Sequence, residues 1–263
     1  IEVFYPKVNL APNTFVKGQI DSNEDKIDLL LKSPKIKIAN NEFDEVKLQI
    51  NSKSPLYNTI ISIDKIDTGI YEASNFNLVN VTLNDTLYIR TDFIGGPNKL
   101  ENYDLSFYHT IDERGNSVVG IKKSEINFKN NQWFINENNN DLNKLVFDKN
   151  FETFVIDKIT MASGSQNVEL AGAFGGDGSS IDMKLEYVNL DAITPDIDSL
   201  SFDGKVNGQI SLQKKNQKYV PLADLTINYF SINDLYYGDL SLLASGNDNL
   251  SEYNFDVELL NND

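Results

Sequence analysis

Between Ser199 and Leu212 the chain places Leu200, Phe202, Gly204, Val206, Gly208, Ile210 and Leu212 at alternate positions, with only polar or charged residues between them. Successive side chains of a β-strand point to opposite faces, so an unbroken period of two makes one wholly apolar surface and one wholly wet one. The apolar surface then has to be covered, either by a second sheet or by curling into a concavity. The same alternation recurs in Val16, Gly18 and Ile20, in Ile27, Leu29 and Leu31, in Val46, Leu48 and Ile50, in Val79, Val81 and Leu83, and in Leu87, Ile89 and Phe93. Leu105 and Phe107 continue it. In the second half Val168, Leu170, Gly172 and Phe174 lead through Gly175-Gly176-Asp177-Gly178 into Ile181, Met183, Leu185 and Tyr187, a hairpin signal. Leu225 and Ile227, Leu240 and Leu242, and Phe255, Val257 and Leu259 complete the series. Asn, Asp, Gly, Ser or Pro bounds each run, and roughly 20 strand candidates result. Helical periodicity is confined to short turns such as Leu190 to Ile193, which Thr194-Pro195 ends. The Asn-rich stretch 136–143 predicts a solvated loop.

Composition removes several functional classes. A net charge of -16 over 263 residues argues against nucleic acid and against an anionic bilayer surface as direct partners. With no cysteine there is no disulfide framework, no thiolate metal site and no thiol nucleophile. The longest apolar runs, such as Leu29 to Leu31, fall far short of the roughly 20 residues of a spanning helix. No signal-peptide pattern is read in this sequence. Ile1 and Asn261-Asn262-Asp263 adjoin extended segments, so the sequence reads as an internal piece of a longer protein.

No constellation carries catalysis. His109, the only histidine, shares the face of Leu105 and Phe107 and reads as a packed or rim residue. Gly164-Ser165-Gln166 lacks the second glycine of a nucleophile elbow. The pairs Asp44-Glu45 and Asp112-Glu113 are adjacent and would point to opposite faces of a strand. Asp196, Asp198 and Asp203 lack the register of a calcium loop, and Gly175, Gly176 and Gly178 precede no helix that would cradle a phosphate. The expectation is a protein that is not an enzyme, with no cofactor and no metal. At about 4.8 Å per strand, roughly 20 strands in one sheet would extend on the order of 100 Å, and a flat sheet of that length curls or closes. A sandwich and an apolar trough both satisfy the composition.

Several segments resemble the TamB family of the AsmA-like superfamily in its Bacteroidota form. They are Ala192-Ile193-Thr194-Pro195-Asp196-Ile197-Asp198-Ser199-Leu200 with Phe202 to Gly208, and Pro221-Leu222-Ala223-Asp224-Leu225-Thr226-Ile227. Phe4-Tyr5-Pro6-Lys7-Val8 with Thr14 to Gly18, and His109 followed by Ser117 to Gly120 and Lys123-Ser124-Glu125, add to it. The resemblance implies an all-β, elongated and curved antiparallel sheet forming an apolar-lined trough, the β-taco. Residues 1–263 would be a single β-groove segment, with a soft break at 136–143 as the alternative organisation. It further implies a periplasmic protein, anchored in the inner membrane through a helix absent here and meeting an outer-membrane barrel of the TamA or BamA kind. Its partner in transit would be phospholipid, carried for outer-membrane biogenesis; nucleic acid would not be a partner. The other reading of the family is a scaffold or chaperone for assembly of outer-membrane barrel proteins. A secreted β-helix enzyme is a third and weaker reading.

On the lipid reading the trough is lined by Val16, Ile20, Leu29, Leu48, Val81, Ile89, Leu105 and Phe107 in the first half. In the second half Val168, Leu170, Phe174, Met183, Leu185, Leu200, Phe202, Val206, Ile210, Leu212, Leu225, Ile227, Leu242 and Val257 line it. Gly204 and Gly208 would relieve crowding where the sheet bends. A 16-carbon tail in water costs roughly 12 kcal/mol at about 0.8 kcal/mol per methylene, and a continuous apolar lane removes that barrier. Asp85-Thr86-Leu87 and Asp198-Ser199-Leu200 resemble the Asp-Ser/Thr-aliphatic motif for O-glycosylation of exported Bacteroidota proteins, which makes Thr86 and Ser199 the modified hydroxyls.

Overall fold

A computed structural model describes residues 8–54, 56, 58–96, 99–129, 131–175, 178–194, 199–215, 218–246 and 252–260. The segment at Phe4 to Lys7, the turn residues Gly176 and Asp177, and Pro195, Asp196, Ile197 and Asp198 lie outside the described residues. The protein is all-β, its nineteen described strands belonging to one antiparallel sheet. The first eight strands are β1 (Val8–Leu10), β2 (Phe15–Asp21), β3 (Lys26–Ile38), β4 (Asn41–Asn51), β5 (Thr59–Asp67), β6 (Glu72–Leu83), β7 (Thr86–Gly95) and β8 (Glu101–Ile111). Four short strands follow, β9 (Ser117–Ile121), β10 (Ser124–Phe128), β11 (Asn131–Ile135) and β12 (Lys144–Phe147). Next come β13 (Phe154–Ser163), β14 (Gln166–Phe174), β15 (Ser180–Asn189) and the one-turn helix α1 (Leu190–Ile193). The chain continues through β16 (Phe202–Lys215), β17 (Lys218–Ile232), β18 (Leu235–Gly246) and β19 (Tyr253–Leu260). The hairpin expected around Gly175 forms, pairing Ala173 with Ser180 and Val168 with Leu185, and the turn at Leu190 to Ile193 is helical as the sequence indicates.

The chain divides into two compact units, residues 1–110 with 122–132 and residues 111–121 with 133–263. The Asn-rich loop therefore belongs wholly to unit 2 and does not separate the units. In unit 1, β1 and β2 lie along the same edge of β3, a meander runs from β3 to β8, and β10 pairs with β8. In unit 2, β9 pairs with β12, β11 and β12 both pair with β13, and a second meander runs from β13 to β19.

Bulges interrupt several of the long strands. Four non-glycine residues inside the described strands have positive φ: Glu45 (50°), Asn75 (53°), Tyr187 (53°) and Tyr229 (57°). Each sits where apolar spacing lengthens from two residues to three, at Phe43 to Val46, Ala73 to Phe76, Leu185 to Val188 and Ile227 to Phe230. At Asn75, Tyr187 and Tyr229 the register with a neighbouring strand shifts by one, so the extra residue is absorbed, both flanking apolar side chains stay on one face, and the strand bends and twists, whereas at Glu45 the pairing with β3 and β5 keeps its register. The backbone N–H freed at Tyr187 donates to Asn207 Oδ1 at 2.8 Å, and that at Tyr229 donates to Asp239 Oδ1 at 2.9 Å. Gly208 sits across from one such bulge with φ +127°, and a Cβ there would overlap the Asp224 carbonyl oxygen. Crowding at Gly208 is thus backbone against backbone, and only glycine fits it.

The loop at 136–143 is a correction to expectation, because both ends of it are buried rather than solvated: Asn136 is 0% and Asn143 1% exposed. The Asn136 amide donates to the carbonyls of Ile121 at 2.7 Å and Asn140 at 2.9 Å, while its Oδ1 accepts the Asn140 N–H. Asn143 Oδ1 accepts the Thr160 N–H at 2.7 Å. These asparagines replace strand pairing where short strands end, and Asn tolerates burial here because donor and acceptor are both satisfied. Asn136→Ala is expected to destabilise unit 2 by about 1–3 kcal/mol, since it strands three backbone groups, and chemical denaturation measures it. Gly208→Ala is expected to cost at least about 2 kcal/mol in the same assay, through the forbidden φ and the overlap.

Candidate functional surface

Paired residues of an antiparallel ladder share a face, so the register converts the sequence alternation into rows that cross the sheet. In unit 2 one row runs Met161, Val168, Leu185, Gly208, Leu225, Leu242 and Val257. Its neighbour runs Ile159, Leu170, Met183, Ile210, Ala223, Ala244 and Phe255. A third holds Gly172, Ile181, Leu212 and Pro221, and a fourth holds Val188, Val206, Ile227, Leu240 and Leu259. Beyond the third row Phe174 stacks on Tyr219 with ring centroids 5.5 Å apart. Phe202 pairs with Ile232 on the same face. The structure therefore brings every strand residue named from the sequence in this half onto one surface. Leu200 is the exception, being exposed and outside the strands.

That surface is not uniformly open. Val188 and Val206 are 0% and 1% exposed, Leu185 is buried, and α1 packs against β15 and β16 with Leu190 and Ala192 buried as well. Val206, expected to line an open trough, belongs instead to this packed end. Away from it the face opens: Val168, Leu170, Met183 and Leu225 are half-buried, Ile210 and Leu212 are at the margin of exposure, and Val257 is 60% exposed. β19 pairs only with β18 among the described residues, and all eight of its residues are exposed.

Unit 1 has the same construction. One row runs Val16, Leu31, Leu48, Ile61, Leu78, Thr91 and Leu105, and the next runs Gly18, Leu29, Ile50, Thr59, Asn80, Ile89 and Phe107. Ile20 pairs with Ile27 on this face, and Val16 and Ile20 are both exposed on the β2 edge. Val81 is a correction. It pairs with Tyr88, which pairs with Tyr108, on the opposite face, because the Asn75 bulge hands the apolar positions of β6 to Phe76 and Leu78. The spacing Phe76–Leu78 carried that information, but Val79, Val81 and Leu83 offered a competing register. His109 is half-buried opposite Leu87 on the apolar face. Sequence reading placed Phe93 in the alternation but passed over its ring neighbours Phe76 and Tyr103 on this face, with Phe93 and Tyr103 stacked at 4.4 Å.

The reverse faces carry ion pairs. In unit 2 Lys184 pairs with Glu186 at 2.6 Å and Lys158 with Glu169 at 2.7 Å. In unit 1 Lys35 contacts Glu42 and Asp44 at 2.8 and 3.1 Å, and Lys37 reaches Glu42 at 3.0 Å. The hydrogen bond from Lys35, then that from Lys37, lowers the Glu42 carboxyl to about 2. The two modification candidates stand at strand ends: Thr86 is half-buried at the start of β7, and Ser199 is exposed with φ 68°, its carbonyl accepting the Asn233 amide at 3.1 Å. Comparison with protein-family models, curated proteins and solved structures finds no match to this chain.

Because the folded Glu42 carboxyl lies below its ordinary value of 4.5, its contribution to stability is full above that value and fades as pH falls toward 2. An NMR carboxyl titration is expected to place the Glu42 midpoint near 2. Lys35→Met is expected to move that midpoint upward; an unchanged midpoint would remove the charge ladder as its cause.

Proposed function

We propose that this chain is a periplasmic segment of a TamB-like protein that bridges the inner and outer membranes and carries phospholipid acyl chains along apolar lanes. The observation that carries the proposal is the unbroken apolar row from Val168 through Leu185, Gly208, Leu225 and Leu242 to Val257, backed by parallel rows and only partly covered. A tail moved along such rows exchanges one apolar neighbour for another, so the roughly 12 kcal/mol cost of wetting it never arises. Neighbouring positions are close in energy, so no tight site is needed and no energy source within the segment. Direction comes from elsewhere in the assembly: an inner-membrane anchor at one end and a TamA- or BamA-like barrel at the other. The role is non-enzymatic and uses no cofactor. Thr86 and Ser199 are the O-glycosylation sites of this reading, and intact-mass analysis of protein from the native host detects or excludes the added sugar.

The exposed strand β19 favours a second reading. Tyr253, Phe255, Val257 and Leu259 alternate along an edge with open backbone hydrogen-bonding groups, which is what strand addition by a partner polypeptide requires. A scaffold or chaperone for barrel proteins would use this edge rather than the face.

Ile210 distinguishes the two, being apolar-facing and accessible where Val206 is not. A photocrosslinking residue at Ile210, in the protein as cells make it, is expected to capture phospholipid, with Gln209 on the reverse face as the negative control. Lipid at neither position, with polypeptide captured from Val257 on β19, would overturn lipid carriage in favour of the scaffold. Ile210→Asp with Leu212→Asp is expected to stop transfer at normal protein levels, because both sites are accessible enough to tolerate charge.

A further inference from the structure

The apolar face of unit 1 ends in a carboxylate. β8 carries Glu101, Tyr103, Leu105 and Phe107 on that face, opposite Gly95, Phe93, Thr91 and Ile89 of β7. The phenolic O–H groups of Tyr71 and Tyr103 both donate to Glu101 Oε2 at 2.9 Å, and the two phenolic oxygens are 3.1 Å apart. The Tyr103 ring stacks on Phe93, and Tyr71 lies over Gly95, where a Cβ would overlap its hydroxyl. Burial pushes both phenols above their ordinary range, so they remain donors at neutral pH. No Lys or Arg forms an ion pair with Glu101 among the described residues, and both tyrosine protons are spent on one of its oxygens.

A fixed, unpaired negative charge at the rim of an apolar face, beside a tyrosine 38% exposed, suits a compact cation attached to an apolar body. One carboxylate supplies too few oxygens for a hard metal ion. An ammonium group fits better: its three N–H donors match the remaining carboxylate oxygen and the phenolic lone pairs. A trimethylammonium lacks those donors. From Glu101 to Phe107 the strand offers about 20 Å of length on the same face for an attached chain.

We infer that Tyr71, Tyr103 and Glu101 hold the ammonium headgroup of an ethanolamine-bearing phospholipid whose acyl chains lie on the apolar face of unit 1 along β8. This rests on the acyl-lane reading and names the lipid class. Calorimetric titration of the purified protein with lysophosphatidylethanolamine and lysophosphatidylglycerol of the same chain length tests it. The wild type is expected to bind the ethanolamine lipid about fivefold more tightly, and Glu101→Gln to bind the two alike at an unchanged melting temperature. Tyr71→Phe, which keeps the ring and removes one O–H, is expected to reduce the preference and serves alone if Glu101→Gln fails to fold. Equal binding of both lipids by the wild type, or a preference that survives both substitutions, overturns the headgroup assignment while the acyl lane stands. Binding of neither lipid overturns the lane and the headgroup site together.

Discussion

A strand side chain has only two directions open to it, and the architecture of both units depends on which direction each apolar residue takes. When Leu185 pairs with Gly208 and Gly208 with Leu225, the face of one fixes the face of all, and the choice propagates across the meander. Slippage by a single residue anywhere would turn a whole strand inside out. The apolar rows therefore act together as the register lock for unit 2, and the polar reverse faces, with ion pairs such as Lys158–Glu169, make the wrong register costly as well.

The bulges are what allow that lock to coexist with long strands. A strand of fifteen residues such as β17 would twist steadily if it were regular throughout. At Tyr229 the chain inserts one residue, satisfies its N–H with Asp239 and resumes with Phe230 and Ile232 on the same face as Ile227. Tyr187 with Asn207 repeats the device on β15. In both places an exposed tyrosine occupies the inserted position and a carboxylate or amide one strand away receives the freed donor.

Most of the fold was legible because period-two alternation is a local signal that survives without knowledge of partners. The strands, the hairpin at 174–180 and the turn at Leu190 all followed from it. What escaped were features created by pairing. Val81 alternates as well as Leu78 does, and only the bulge at Asn75 decides between them. Asn136 and Asn143 look like solvated loop residues until the strand ends they cap are known. The depth of Val206 depends on α1 packing against β16, which no alternation within 199–212 encodes. Tyr71 and Glu101 are 30 positions apart and meet through strand order rather than through any motif. A signal for the bulges was nonetheless present: apolar spacing of three within an alternating run, as in Leu225, Ile227, Phe230 and Ile232, marks the inserted residue directly.

That spacing gives the chain something like a reading frame. A one-residue deletion within a regular stretch of β16 would invert the rest of the strand, whereas loss of Tyr187 alone would leave Leu185 and the following valine in phase and merely straighten the strand. The inserted positions are thus the sites where strand length can drift singly, and elsewhere it changes by pairs or not at all. Homologous chains of different lengths would then keep the same two surfaces while differing in how sharply each strand bends.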